Sequence, residues 1–195
     1  MRKAEILRKT AETDIKITLD LDGSGKSNID TGCGFLDHML TLFAKHGKFD
    51  LDVSCAGDVN VDYHHTVEDV GIALGKAFSV SLGDKRGITR YGDAVISMDE
   101  AVILSSVDFS GRDFLGFSLD IPAQKVGDFD TELVEEFFLG FVRNALCALH
   151  IRRISGKNSH HIIECAFKSV SKSISQAVSV QKGFENEIPS TKGVL

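Results

Sequence analysis

The sequence predicts an α+β fold in which two similar half-domains form a layered α/β sandwich. Three observations predict it. Segments that alternate apolar and polar residues come before segments with helical periodicity, and the order of strands, helix, strand and helix occurs twice. The pattern HHxxE opens the second helix of each half, once at position 64 and again at position 160. A spacing near half of the 195 residues indicates an internal duplication, with pseudo-repeats of about 1–90 and 91–195 in a single domain.

The first half contains three predicted strands and two predicted helices. The stretch "TDIKITLDLDG" places Ile15, Ile17, Leu19 and Leu21 on one face and ends at an Asp-Gly turn, which is typical of a half-buried strand. A short strand in "SNIDTG" follows, and the apolar spacing of "GFLDHMLTLFAKHG" predicts a helix that ends at Gly47. The alternation in "KFDLDVSCAGDVNVD" predicts another strand, and "TVEDVGIALGKAFSVSLG" predicts the second helix.

The same order returns in the second half. The stretches "AVILSSVDFSG" and "DFLGFSLDIP" predict strands, "DTELVEEFFLGFVRNALCALH" a helix, "IRRIS" a strand and "HHIIECAFKSVSKSISQAV" a long helix. We place His46 and His150 at helix ends, where a cationic side chain stabilises the C-terminal end of the dipole, and therefore interpret both as structural.

The composition excludes several classes of partner. The net charge of −6 argues against the basic patch that nucleic acids and anionic membranes attract. No apolar run approaches the roughly 18 residues of a membrane helix, and the charged N-terminus lacks the apolar core of a secretory signal. Cys33, Cys55, Cys147 and Cys165 are far apart in the sequence, which is typical of reduced, mostly buried thiols. The sequence therefore predicts a cytoplasmic protein with no nucleic-acid and no membrane partner.

The two HHxxE helices indicate metal binding. A carboxylate three or four residues after a histidine is its neighbour on a helix surface, so imidazole and carboxylate can hold one ion. A single copy would be typical of a solvated helical face, whereas two copies at matched positions favour metal ligands. The apolar residues on the opposite side are expected to face the core: Val67, Val70, Ala73, Leu74, Ala77 and Phe78 in the first helix, and Ile162, Ile163, Ala166, Phe167, Val170 and Ile174 in the second.

The duplication predicts one further ligand from the first helix of each half. His38 lies 26 residues before His64, and Glu136 lies 24 residues before His160. With the two HHxxE motifs they give five imidazoles and three carboxylates, enough for two ions with open coordination positions, which favours a catalytic site. Nitrogen and oxygen ligands without thiolate suit Mn²⁺ or Fe²⁺, and Zn²⁺ is an alternative. The eight predicted ligands are His38, His64, His65, Glu68, Glu136, His160, His161 and Glu164.

Four stretches carry a resemblance to a known family. "GFLDHML", "DYHHTVEDVGIALG", "GKNSHHIIECAFK" and "PSTKGVL" strongly resemble the imidazoleglycerol-phosphate dehydratase family of histidine biosynthesis, and the likeness runs from about residue 2 to 195. The resemblance implies a fold like the second domain of ribosomal protein S5, two Mn²⁺ ions, and a twenty-four-subunit homo-oligomer with active sites between subunits. It also implies a metal-dependent hydro-lyase that converts D-erythro-imidazole-glycerol phosphate into imidazole-acetol phosphate and water.

By the same resemblance the eight predicted ligands hold the metals, and further side chains contact the substrate and its phosphate: Arg90, Arg112, Lys168, Ser190 and Lys192. Glu12 is implied as the acid–base residue, and the predicted elements place it before the first strand, away from both HHxxE helices. Metal binding at both nitrogens of the substrate ring would favour imidazolate, whose electrons expel the hydroxyl and give a diazafulvene-like intermediate. Glu12 would then remove a proton from the adjacent carbon.

Two other interpretations stay open. A binuclear metallohydrolase would use a bridging hydroxide, although such sites usually carry bridging aspartates at strand ends, which we do not find in this sequence. A metal-storage or structural metal protein is the non-enzymatic alternative, and it would not require a phosphate-binding set. In the dehydratase interpretation the ligand faces of the helices need a further wall to enclose a small substrate, and we expect a neighbouring subunit to provide it.

Overall fold

The computed structural model describes residues 2–195, which form two four-stranded sheets, a small two-stranded ribbon and four helices. In chain order the elements are β1 (Lys3–Lys9), β2 (Thr13–Asp20), β3 (Ser27–Asp30), α1 (Gly34–Gly47), β4 (Asp50–Gly57), α2 (His64–Leu82), β5 (Tyr91–Met98), β6 (Ala101–Asp108), β7 (Phe114–Ser118), β8 (Lys125–Val126), β9 (Phe129–Asp130), α3 (Leu133–Ala145), β10 (Ala148–Ser155) and α4 (Ser159–Ala177).

The two sheets have the same topology. The first has the strand order β1-β2-β4-β3 and the second has the order β5-β6-β10-β7. In each sheet an antiparallel hairpin is followed by a third strand that pairs in parallel with the fourth, β3 with β4 and β7 with β10. The ribbon of β8 and β9 is an addition to the second half. The predicted α+β class with two similar half-domains is confirmed.

The helices pack crosswise between the halves. α1 of the first half lies against α4 of the second, and α3 of the second half lies against α2 of the first. Glycine permits the close approach of α2 and α3, because a Cβ atom at Gly71 would lie 2.4 Å from the carbonyl oxygen of Phe137. A Cβ atom at Gly140 would in turn lie 2.9 Å from the carbonyl oxygen of Glu68. Each half therefore contributes one helix to each helix pair.

The core lies between the sheets and the helices and is rich in phenylalanine. The ring of Phe78 on α2 makes edge-to-face contacts with Phe43, Phe49 and Phe141, which join the two halves. The two sets of apolar residues predicted for the core faces of α2 and α4 are all buried, and the four cysteines are buried and free, as predicted. Within residues 2–195, no helix is long and apolar enough to cross a membrane.

Three local predictions differ from the structure. β1 and β5 were not predicted as strands, although each pairs along its whole length with the strand that follows it. α3 ends at Ala145, because Leu146 adopts a left-handed conformation with φ 54° and closes the helix. The predicted helix end at His150 is therefore wrong, and His150 lies in β10 with an exposed side chain. His46 does lie in the last turn of α1, as predicted.

Candidate metal centre

Side-chain oxygens accept hydrogen bonds from backbone amides of the histidines at the start of both HHxxE motifs. Asp62 Oδ1 accepts a hydrogen bond from the backbone N–H of His64 at 2.8 Å. Asn158 Oδ1 accepts hydrogen bonds from the backbone N–H groups of His160 and His161, at 3.0 and 3.3 Å. These side chains satisfy amides that the first turn of a helix leaves free. In both motifs the accepting side chain lies two positions before the first histidine, although α2 begins at His64 and α4 begins one residue before its first histidine, at Ser159.

One compact group of potential ligands joins the two halves. The Nε2 atoms of His38 on α1 and His160 on α4 lie 3.2 and 3.1 Å from Glu164 Oε2. The ligand atoms of these three residues all lie within 4.8 Å of one another. Ligands bound to a single ion at about 2.1 Å are themselves about 3 Å apart, so the donor types and their spacing suit a divalent metal. Of residues 2–195, these alone form a group of three or more such ligands.

Glu164 is the most enclosed member of the group. The sequence places this carboxylate away from the core, but α1 covers α4 and leaves only 9% of the side chain exposed. Burial by itself raises the pKa of Glu164, yet hydrogen bonds from Lys168 and His38 outweigh burial and hold the net pKa below its usual value. Lys168 Nζ lies 2.6 Å from Glu164 Oε1, so the carboxylate is ionised and is shared between a lysine and two imidazoles.

The corresponding group on the other helix pair is more open. His64 Nε2 lies 3.9 Å from Glu68 Oε2 on the surface of α2. Glu136 is half-buried on α3, one helical turn before Gly140, the residue that packs against the backbone of Glu68. The described residues do not bring Glu136, His64 and Glu68 as close together as His38, His160 and Glu164.

The second histidine of each pair points in a different direction from the first. The rings of His64 and His65 are nearly perpendicular with centroids 6.2 Å apart, and those of His160 and His161 are 6.4 Å apart. His65 Nδ1 lies 3.0 Å from Asp58 Oδ2, and the hydrogen bond to that carboxylate raises the pKa of His65. His161 Nδ1 lies 2.8 Å from Glu100 Oε2, which raises the pKa of His161 and lowers that of Glu100 to about 2.

Glu12 lies beside one of these histidines. It occupies the turn between β1 and β2, and its Oε1 atom is 3.6 Å from His65 Nε2. The prediction that Glu12 precedes the first strand and is remote from both HHxxE helices is therefore wrong, because β1 was not recognised. The hairpin is fixed to α2 by Asp69, which accepts hydrogen bonds from Thr13 Oγ1 at 2.5 Å and from the Arg8 guanidinium at 2.6 Å. About half of the Glu12 side chain remains exposed.

The remaining predicted cations lie at the opposite end of the helices. The Arg90 guanidinium donates to both carboxylate oxygens of Asp108, at 2.7 and 3.2 Å, and to the carbonyl oxygen of Pro189 at 2.9 Å. Arg112 is exposed in the loop after β6, and the tail that carries Ser190 and the exposed Lys192 packs back against this loop at Gly111. We refer to Arg90, Arg112, Ser190 and Lys192 as the anion-binding set, after the role that the sequence predicts for them.

The anion-binding set and the histidine groups are far apart within one chain. The backbone N–H of Arg90 donates to the carbonyl oxygen of Ala177, the last residue of α4. Glu164 lies 13 residues earlier on the same helix, which corresponds to ~20 Å at ~1.5 Å per residue. Of the predicted substrate contacts, only Lys168 lies beside the ligand group.

Two cavities of the chain together reach only one of the predicted ligands. A cavity of about 540 Å³ lies between the β7–β8 segment and the start of α3, and its lining contains none of the predicted site residues. A cavity of about 430 Å³ is lined by His160 together with Pro122, Ala123 and Lys157. The histidine groups are otherwise open to solvent, with about 40–50% of the His38, His64 and His160 side chains exposed.

Sequence reasoning missed the carboxylates that hold the second histidines. Asp58 follows β4, and Glu100 lies in the turn between β5 and β6. Asp58 is seven residues from its histidine and Glu100 is 61 residues from its own, so no motif joins them. Their only sequence signal is an acidic residue next to the end of a strand, which is common in turns.

The fold and the site together define a class: an α+β protein of two like half-domains with a histidine–carboxylate metal-type group where the halves meet. A sequence model of the imidazoleglycerol-phosphate dehydratases matches residues 31–174. The chain belongs to the imidazoleglycerol-phosphate dehydratase family.

Relatives and solved structures agree over nearly the full length. An imidazoleglycerol-phosphate dehydratase from Desulforamulus reducens is 56% identical over 194 residues, which cover 100% of this chain and 98% of that protein. One from Cereibacter sphaeroides is 53% identical over 195 residues and is covered completely. The crystal structure of the Staphylococcus aureus protein has a TM-score of 0.84 at 40% identity and covers 92% of this chain and 99% of its own. That of the Pyrococcus furiosus protein has a TM-score of 0.85 at 36% identity, with 97% and 100% covered.

Proposed function

We propose that this protein is a metal-dependent hydro-lyase that converts D-erythro-imidazole-glycerol phosphate into imidazole-acetol phosphate and water in L-histidine biosynthesis. The observation that carries the proposal is the group of His38, His160 and Glu164, which has metal-ligand spacing in a chain that belongs to the imidazoleglycerol-phosphate dehydratase family. The two relatives named above are imidazoleglycerol-phosphate dehydratases, and the similarity to this chain extends over nearly their whole length.

The proposed cofactor is a pair of Mn²⁺ ions. His38, His160 and Glu164 have the donors and spacing for one of them, and His64, Glu68 and Glu136 are proposed as the corresponding set on the other helix pair. His65 and His161 complete the eight proposed ligands. The ring centroids within each histidine pair lie about 6 Å apart, so one histidine of each pair would bind each ion. When bound, the metals supply a positive charge that lowers the pKa of the substrate's imidazole ring.

The side chains of the protein would handle the proton and the phosphate. Loss of the hydroxyl from the carbon next to the electron-rich ring leaves the diazafulvene-like intermediate of this proposal. Glu12, which is exposed beside His65, would take the proton from the adjacent carbon as a general base. Lys168 is positioned next to Glu164 and would bring one cation to the phosphate. The planar guanidinium groups of Arg90 and Arg112 suit phosphate oxygens.

Self-association is part of the proposal. A small phosphorylated imidazole cannot span the ~20 Å between Glu164 and Arg90 on one chain, as estimated from the rise of α4. The ligand group of one chain would therefore meet the anion-binding set of a neighbour: Arg90, Arg112, Ser190 and Lys192. A homo-oligomer of twenty-four subunits is the proposed assembly. We further propose that the chain is one catalytic domain of two pseudo-repeats, about 1–90 and 91–195, in the cytoplasm.

The direct test is turnover of imidazole-glycerol phosphate by metal-stripped protein with and without added Mn²⁺. We expect Mn²⁺-dependent formation of imidazole-acetol phosphate. Tight metal binding without turnover would favour metal storage, and hydrolysis of a phosphoester would favour the metallohydrolase alternative. Either result would reject the dehydratase proposal.

Metal content tests the ligands separately from activity. Elemental analysis after dialysis should approach two equivalents of metal per wild-type chain, with less in His64→Ala and in His160→Ala. His150→Ala is the matched control, because His150 is exposed on β10 and is not a proposed ligand. Full metal content in a His64→Ala, His160→Ala double variant would reject the ligand assignment.

A further inference from the structure

Two carboxylates outside the proposed ligand set each accept a hydrogen bond from the second histidine of a pair, and in both cases the donor is Nδ1. Asp58 Oδ2 accepts from His65 Nδ1 at 3.0 Å, and Glu100 Oε2 accepts from His161 Nδ1 at 2.8 Å. In both cases the Nε2 atom makes no hydrogen bond within residues 2–195: that of His65 lies 3.6 Å from Glu12 Oε1, and that of His161 lies 3.8 Å from Asp99 Oδ2. A metal-binding histidine commonly donates its other ring N–H to a carboxylate, which fixes the tautomer and the orientation of the ring.

The internal duplication does not explain this match. Asp58 follows β4 in the first half, whereas Glu100 lies in the turn between β5 and β6, the counterpart of the turn that carries Glu12. The two halves thus reach the same contact from different loops. A contact that merely followed from copying would be made from equivalent positions. We therefore infer that the shared feature is needed by the histidines, each of which requires a hydrogen-bond acceptor at Nδ1.

We propose that Asp58 and Glu100 are positioning residues that present Nε2 of His65 and His161 to the metals. Because this role rests on the proposed function, the wild-type protein is measured alongside the variants. Neither carboxylate touches the substrate in this proposal. Each acts through its histidine, by keeping the proton on Nδ1 and the lone pair on Nε2.

The surroundings of Glu100 make one substitution informative. Glu100 Oε1 accepts from the backbone N–H groups of Lys157 and Asn158, at 3.1 and 2.8 Å. In Glu100→Gln these two donors would keep the amide oxygen in the Oε1 position, so the NH₂ group would face His161 Nδ1. A donor at that position forces Nδ1 to accept and moves the ring proton to Nε2, which can then no longer bind a metal. The substitution keeps the shape and the backbone contacts while inverting the tautomer.

Asp58 gives the opposite expectation for a similar change. Its Oδ1 atom is buried without a hydrogen-bond partner in the described residues, so nothing fixes the direction of an amide at this position. In Asp58→Asn the amide oxygen can therefore face His65 and keep the proton on Nδ1. Asp58→Ala removes the acceptor altogether. We expect Asp58→Asn to retain most of the metal affinity that Asp58→Ala loses.

The experiment measures Mn²⁺ binding to metal-stripped full-length protein by equilibrium dialysis, with Tm in chelator as a separate measure of folding. Glu100→Gln and Asp58→Ala should weaken Mn²⁺ binding about 10- to 100-fold. Asp50→Asn is the matched control, because Asp50 accepts from the backbone N–H groups of Ser24 and Lys26 and contacts no histidine. It should bind Mn²⁺ as the wild type does.

Each outcome decides between these ideas. Wild-type Mn²⁺ affinity in folded Glu100→Gln would overturn the proposal. A loss of Mn²⁺ affinity in Asp50→Asn as large as that in Glu100→Gln would also overturn it, because the loss would then reflect disturbed loops and not a missing acceptor at the histidine. If Glu100→Gln fails to fold, the comparison of Asp58→Ala with Asp58→Asn decides, and equal affinity in those two variants overturns the proposal. Wild-type protein that binds no Mn²⁺ would reject the metal assignment itself, and the role of both carboxylates with it.

Discussion

Mixed oligomers give a quantitative test of where the active site is built. The ligand group at Glu164 and the anion-binding set at Arg90 lie ~20 Å apart on one chain, from the rise of α4. If one chain supplies the histidines of a site and its neighbour supplies the arginines, two inactive variants can complement each other. We choose His160→Ala for the ligand group and Arg112→Ala for the anion-binding set, because both side chains are accessible in the chain and neither belongs to the core.

The expected recovery of activity follows from random assembly of the two variants. In oligomers assembled from equal amounts of the two variants, a site draws an intact His160 from half of the chains and an intact Arg112 from half of the chains. About one quarter of the sites are then intact, so activity should reach about a quarter of wild type. Arg112→Ala alone should retain about 1–10% of kcat/KM, because a hydrogen bond to a charged group contributes about 1.5–3 kcal/mol. The signal therefore exceeds the background.

The assay compares co-expressed chains, purified as mixed oligomers through two different tags, with each variant assembled alone. Mixing the two purified variants without subunit exchange is the control, and it should give only the sum of their separate activities. Mixed oligomers that show no more than this sum would refute the proposed division of the site, because they would place His160 and Arg112 of every site on the same chain.

Three further outcomes are expected. Glu12→Gln keeps the shape of the side chain but removes its basicity, so kcat should fall by a large factor while metal content and KM stay near wild type; wild-type turnover would move the general base elsewhere. Removal of metal by a chelator should shift light scattering to smaller species and abolish activity, and Mn²⁺ should restore both; a fully active monomer would contradict the shared site. Gly71→Ala should lower the free energy of unfolding by about 1–3 kcal/mol, measured by denaturant unfolding, because its Cβ would lie 2.4 Å from the carbonyl oxygen of Phe137. Gly34→Ala, with open space around the added Cβ, should change stability little.

Periodicity predicted the parts of the fold that repeat regularly. The apolar faces of α2 and α4 were correct because burial of one stripe requires residues three and four apart, a spacing that is visible in the sequence. β1 was missed because only Ala4 and Ile6 of its inner face are apolar, and the strand continues into the charged pair of Arg8 with Asp69. α3 was extended too far because "NALCALH" has neither glycine nor proline, and the left-handed Leu146 that ends the helix is an uncommon choice.

The members of the candidate site could be predicted because the duplication repeats their positions in each half. His38 was selected by its distance from His64, and the structure brings it beside His160 and Glu164 of the other half. The sequence does not reveal that α1 pairs with α4, because this pairing depends on how the two halves pack. Asp58 and Glu100 could not be found for a similar reason, since loop geometry alone brings them to their histidines.

Electrostatics explains why the proposed ligands lie closer together on the α1–α4 pair than on the α2–α3 pair. On α1 and α4 two imidazoles and Lys168 surround the single carboxylate of Glu164. These side chains attract the carboxylate and hold the group together without an ion. On α2 and α3 the proposed set contains two carboxylates, Glu68 and Glu136, and like charges keep such groups apart until a cation joins them. Glu136→Gln should therefore weaken one of the two Mn²⁺ sites and leave the other near wild type, whereas Glu135→Gln, exposed one residue away on α3, should change neither. Mn²⁺ titration of metal-stripped protein measures this directly, and unchanged affinity at both sites in Glu136→Gln would show that Glu136 is not a ligand.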